Sequence, residues 1–417
     1  MAILRADREA VLTSLAASVY PYVDEHRRHS PLPLASVCRL WRAVALSTCR
    51  LWTHFAPYDR DGDNDTRPHL TDLLMCWLSR AGRLKLHICI ELPSSPLWIW
   101  WRMDGFRSPP ISDLTTIALE YSSDATIPAL LDAPRLREVI LDRFRFGDDW
   151  RTSVPWIQLT SLNPKSQNVL ECLEVLSHTP NLEVLTFWTC GGAVGIIFPP
   201  PSLPRLHTLH LGANGSSGLL PYLTLPALDE LRLGSITSGA VEALTALITR
   251  SGCSPTTLFV TFYNSRCMYD LISRMPSVRM LRMTCPAIPS AHFTELFHSM
   301  SKHPSSCILP ALTSFIIDEC CVEIPLRPLV NMLMARRVKM EGVAQLNSFK
   351  LLFHQDFHNP FPKVNLNWQT EDVGLAVWEL RDLRSRGLQL DIQSTIKWLS
   401  GNITRKMIEE IGSAERS

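Results

Sequence analysis

Charge of one sign is what these 417 residues lack most plainly: 41 Lys and Arg stand against 40 Asp and Glu, a formal net charge of +1. A chain that holds nucleic acid or an acidic membrane by bulk attraction shows a basic excess, so neither partner is expected. No apolar run reaches the length of a membrane span, and the opening residues MAILRADREA are charged where a secretory signal is apolar. A cytoplasmic or nuclear location is therefore expected, with no membrane partner. The 12 Cys include no C-x-x-C pair and no regular Cys/His ladder, which argues against a zinc site or a disulfide framework. Catalytic signatures are also missing, since no nucleophile elbow, Walker loop or metalloprotease helix occurs. The stretches Gly191–Gly195 and Gly212–Gly218 have neither the spacing nor the Lys of a phosphate cradle and read as turns. Asp61, Asp63 and Asp65 alternate like calcium ligands, but Thr66 stands where that loop needs Gly and Asp72 where it needs Glu. No metal, no cofactor and no enzymatic activity are expected.

What is present is leucine at a fixed interval. The clearest copies of a Pro-x-Leu-x-x-Leu-x-Leu element are Pro204 to Leu211 and Pro226 to Leu233. Weaker copies begin at Leu114, Leu136, Leu159, Leu182, Val278, Leu312 and Leu346. From Leu114 to Leu228 the leading positions fall 22 to 24 residues apart, the period of a leucine-rich repeat with one strand and one helix per unit. Helical spacing fills the intervals at Asn168–Ser177 and Ser238–Arg250. Beyond Leu228 the interval lengthens. A Pro before each strand ends the previous helix and loses its missing N–H outside the ladder. Glu371–Arg386 reads as a helix closed by Gly387, then a strand at Leu388–Ile392, and Ser394–Ile411 as an amphipathic capping helix.

Ahead of the repeats lies PLPLASVCRLWRAVALSTCRLWTHF, Pro31 to Phe55. Val37, Leu40, Trp41, Val44 and Ala45 follow the spacing of a helix that buries one face. Leu51, Trp52 and Phe55 form a second apolar knot, so two or three short helices are expected to share a small core. The run Val37-Cys38-x-x-Trp41 with Leu51-Trp52 ten positions on resembles the F-box, without the Leu-Pro-x-Glu helix start that usually opens that family. The repeats resemble the degenerate leucine-rich repeats that follow the F-box in fungal, basidiomycete-like proteins. Together the resemblances imply a substrate receptor of a cullin-type ubiquitin ligase. Leu32, Leu34, Val37, Cys38, Trp41, Leu51 and Trp52 would meet the adaptor protein, and the repeats would hold a protein target. The rival expectation is a non-catalytic repeat scaffold whose front end only caps the array.

The expected fold is α/β, a leucine-rich-repeat solenoid with a small helical F-box-like domain at 1–57, a polar linker at 58–69, the repeats at 70–392 and a capping helix and tail at 393–417. In each repeat the strand leucines point into the core, so the residues beside them share the other face. That places Glu138 and Asp142, Thr186 and Trp188, Thr208 and His210, Glu230 and Arg232, Met280 and Arg282, Ser314 and Asp318 on one surface. Its signs are mixed, which suits a protein target rather than nucleic acid. The expected target contacts are Glu138, Asp142, Trp188, His210, Arg232, Arg282 and Asp318, with Trp188 as anchor.

Overall fold

A computed structural model describes residues 38–52, 54–55, 80, 87–91, 115–122, 133–144, 151, 154–165, 169–188, 201–212, 216–285, 288–302, 306–318, 324–338, 340–353 and 370–394. The expected adaptor contacts Leu32, Leu34 and Val37, the linker 58–69, the Gly191–Gly195 turn and the capping helix past Ser394 lie outside these residues. The chain divides into two compact units, Met1–Pro155 and Trp156–Ser417.

In the first unit, helix α1 (Arg39–Ser47) starts at Cys38, whose thiol accepts from the Trp41 amide at 3.5 Å. A 3-10 turn, Cys49–Trp52, follows, and then strand β1 (His54–Phe55). Strands β2 (His87–Glu91), β3 (Thr116–Ser122) and β4 (Glu138–Phe144) each lie parallel to the strand before. Phe55, expected in a helical knot, is therefore a strand residue paired with Ile88. A β-branched Thr53 and His54 ahead of it favour extended backbone over another helical turn.

The second unit repeats one arrangement. Strands β5 (Ser161–Lys165), β6 (Val184–Phe187), β7 (Thr208–Leu211), β8 (Glu230–Leu233), β9 (Thr257–Thr261), β10 (Met280–Thr284), β11 (Ser314–Asp318), β12 (Ser348–Phe353) and β13 (Gln389–Ser394) run parallel in sequence order. The described helices of nine residues or more are α2 (Val169–Ser177), α3 (Ser238–Ser251), α4 (Ser265–Ser273), α5 (Ser290–Met300), α6 (Leu326–Arg337) and α7 (Thr370–Ser385). Parallel strands need such crossovers because no tight turn can return the chain to the same end of the sheet.

Several strands start the same way. The Leu that opens the motif closes a four-residue turn: Leu182 N–H donates to Thr179, Leu206 to Leu203, Leu228 to Leu225 and Leu312 to Leu309, at 3.1 to 3.3 Å. Pro180, Pro204, Pro226 and Pro310 occupy the second position of these turns, where a fixed φ is already correct. The two amides that follow then converge on one carbonyl of the preceding strand. His207 and Thr208 both donate to Glu183, Asp229 and Glu230 to His207, Thr256 and Thr257 to Asp229, and Arg279 and Met280 to Thr256. This shared acceptor locks the register from rung to rung, so the leucines stack into continuous buried rows.

Leu185, Leu209, Leu231, Leu258, Leu281, Phe315 and Phe349 form one such row, wholly buried. Each stabilises the sheet by about 1.5 to 3 kcal/mol on area burial. Helix residues such as Leu244, Met268, Phe293 and Leu329 add to the core. Strand β9 was invisible to the repeat pattern because Pro255 stands at the leading position where other copies carry Leu; pairing of Leu258 with Leu231 fixes its register. Two arginines tie helix ends to these turns. Arg250 donates to the Leu220 and Leu223 carbonyls, and the fully buried Arg336 to those of Leu309 and Leu312 at 3.0 and 2.9 Å. Five N–H donors on one planar group let a single side chain satisfy carbonyls that water no longer reaches. No described helix is long and apolar enough to cross a membrane.

Candidate functional site

The candidate site is the face of the second unit's sheet opposite its leucines. Strand burial alternates there, strictly in β6, β7 and β9, and breaks at the end of β11, where Asp318 is buried as well as Ile317. Cross-strand register then sets the neighbours: Thr186, His210, Arg232, Phe259, Arg282, Ile316, Lys350 and Asp391 form one continuous row.

Trp188 begins the patterned part. Its ring is 41% exposed and meets the His210 imidazole edge-on, with centroids 5.2 Å apart. It lies over Gly212, where any Cβ would collide with the indole, so the glycine that follows β7 is what allows the ring to lie across the neighbouring backbone. Arg232 pairs with Glu230 on its own strand and stacks its guanidinium 4.7 Å from the centre of the Phe259 ring on β9. Arg282 reaches to β11 and clasps Asp318, with its Nε 2.9 Å from the carboxylate. Lys350 lies 3.5 Å from Asp391 of β13.

The bases are the more exposed members of these pairs. Arg232, Arg282 and Lys350 side chains are 48, 45 and 46% exposed against 26, 4 and 34% for their acids. Burial, with a smaller contribution from the cation of Arg232, holds His210 below the ordinary histidine value, and Glu230 opposes this weakly. The neutral imidazole is thereby favoured beside the indole.

The expected target contacts are thus partly gathered and partly separated. Trp188, His210, Arg232 and Arg282 share the row's face. Asp318 lies beneath Arg282, only 3% exposed, so it positions the guanidinium rather than meeting a partner directly. Glu138, which accepts from the Thr116 hydroxyl at 3.1 Å, and Asp142, a β4 residue whose side chain is outside the described set, belong to the other unit. Phe259, Lys350 and Asp391 went unassigned in the sequence. Period-two alternation from Phe349 points to Lys350 and from Leu390 to Asp391, whereas Phe259 sits in the strand that the Pro255 substitution conceals.

At the front end, Trp52 is fully buried, its Nε1–H donating to the Ala45 carbonyl at 2.7 Å, and the Arg80 guanidinium lies 4.7 Å from its ring centre. Trp41 and Leu51 are only half-buried and Cys38 is exposed. Leu40, expected on the buried face of α1, is 72% exposed, and Ala45 is the residue of α1 that is fully buried among the described residues. The chain matches no family model, and no curated protein matches it.

Proposed function

We propose that this chain is a substrate receptor of a cullin-type ubiquitin ligase, a degenerate leucine-rich-repeat solenoid whose F-box-like front end docks the adaptor while the repeats hold a protein target. The observation that carries the receptor role is the face just described: an exposed indole followed by bases of mixed-sign pairs, with no continuous basic stripe among the described residues of the kind that phosphate neutralisation demands. Catalysis would belong to other subunits, and the receptor would act by bringing target and enzyme together. The adaptor half rests on the resemblance of Val37-Cys38-x-x-Trp41 and Leu51-Trp52 to the F-box, supported by the exposed Leu40 on the same helix.

Co-purification tests it. The chain, co-expressed with the ligase adaptor, should bring the adaptor through gel filtration, and Leu40→Asp should abolish this without lowering the melting temperature. One observation favours the scaffold reading instead. Trp52 stands three residues before Phe55, the leading position of a repeat, so the front end runs straight into the first strand as a cap would. Failure of the wild-type chain to retain the adaptor decides for the scaffold.

A further inference from the structure

Four side chains on the open face of the second unit repeat one gesture. Each springs from an even-numbered strand or its end and leans toward the strand that follows. Trp188, just after β6, lies over Gly212, just after β7, and Arg232 of β8 stacks on Phe259 of β9. Arg282 of β10 reaches Asp318 of β11, and Lys350 of β12 approaches Asp391 of β13. Because all four lean the same way by one strand, the spacing of their tips stays at two strands, about 10 Å from a strand separation of about 4.8 Å. An extended chain advances about 3.3 Å per residue, so three residues span the same distance of about 10 Å.

We propose that this face binds an extended, acidic protein segment lying across the strands, with a large apolar side chain on Trp188 and carboxylates at three-residue intervals against Arg232, Arg282 and Lys350. The proposal rests on the receptor reading only in taking the face as a protein-binding one. Charge complementarity supplies the sign. Every base is more exposed than the acid that holds it, so an incoming chain meets guanidinium and ammonium first. Arg282 uses Nε and one terminal nitrogen for Asp318, and the five-donor fork keeps further N–H groups to offer a second carboxylate. Phe259 and Ile316 fill the intervals between cations with apolar surface, which suits the small residues between a ligand's acids. The buried Asp318 and the stacked Phe259 fix two of the cations before binding, so little side-chain freedom remains to be lost.

The test uses the full chain and the fluorescein-labelled, end-capped peptide Leu-Ala-Ser-Glu-Ala-Ser-Glu-Ala-Ser-Glu and its reversed sequence. The control has the same composition with its glutamates adjacent. One orientation of the spaced peptide should bind at least tenfold more tightly than the control, and more weakly as salt rises. Trp188→Ala should weaken binding tenfold or more, and Arg232→Gln and Lys350→Gln each about threefold, with melting temperatures unchanged. These two cations are chosen because Glu230 and Asp391 keep contact with water when the base is lost, whereas changing Arg282 would strand the buried Asp318. Equal affinity for spaced and clustered peptides, no detectable binding, variants that bind as well as wild type, or tighter binding of a single-stranded RNA oligonucleotide would each overturn it. Adaptor co-purification from the same preparation separates the two claims. Adaptor retained with peptide binding absent removes the spaced-acid ligand alone, and peptide binding with the adaptor lost removes the ligase reading alone.

Discussion

His210 shows how much of this face is decided one side chain at a time. Its imidazole is edged by the Trp188 indole just after β6 and lies between Thr186 and Arg232 in the strand register, with Glu230 close on β8. Burial and then the Arg232 cation lower its pKa, so between the folded value and 6.5 the unfolded chain binds the proton more readily. The contribution to stability is therefore complete above pH 6.5 and declines as the pH falls below it. An NMR titration of His210 should place its midpoint below 6.5, and His210→Gln should remove part of the loss of stability between pH 7 and pH 5. Arg232→Gln should move that midpoint upward, but not to the ordinary value, because burial is the larger cause. Period-two alternation made His210 legible as a face residue. Its environment was not legible, because Trp188 reaches it only when β6 and β7 lie side by side.

Among the elements, the front end separates what spacing encodes from what packing selects. Helical periodicity located α1 and put the weight on Trp41 as its buried ring, leaving Trp52 to a second apolar knot. Packing reverses that order: Trp52 is enclosed and hydrogen-bonded through its indole, while Trp41 is only half-buried. Trp52→Ala should cost about 3 to 5 kcal/mol in denaturant unfolding of the first unit, from the cavity it leaves and the indole hydrogen bond to the Ala45 carbonyl that is lost. Trp41→Ala should cost clearly less. Equal losses for the two would contradict this assignment. The strand starts tell a similar story in the other direction: the Pro-x-Leu signature was visible, yet its role as a four-residue turn that feeds two amides to one carbonyl emerges only from the paired strands. At α3, by contrast, the helical spacing at Ser238–Arg250 is matched by a helix at Ser238–Ser251, which starts where the Thr237 hydroxyl accepts from the Ala240 amide and ends at Gly252 with φ +64°. Such caps depend only on residues within one turn of each other.

Across the whole molecule, parallel strands in sequence order mean that, among the described residues of the second unit, strands β6 to β12 each bond to the strand before and the strand after. Stability is then expected to be passed on between nearest neighbours. Leu281→Ala in β10 should cost about 2 to 5 kcal/mol, and hydrogen exchange should quicken most in β9, β10 and β11 and least in β5 and β6. Uniform quickening through β5 to β13 would mean that the unit unfolds only as a whole.

The sequence by itself determined the α/β class, the repeat motif, the strand positions other than those of β1 and β9, and the alternation that divides core from open face, because each of these is carried by residues two to four positions apart. The tertiary structure decided which residues meet. Arg282 and Asp318 lie 36 positions apart, and Phe259 comes to Arg232 through a strand whose opening leucine is replaced by Pro255. Those partnerships depend on the varying lengths of the helices and turns between strands, which the local motif does not fix, and on the shared carbonyl that sets one rung against the next.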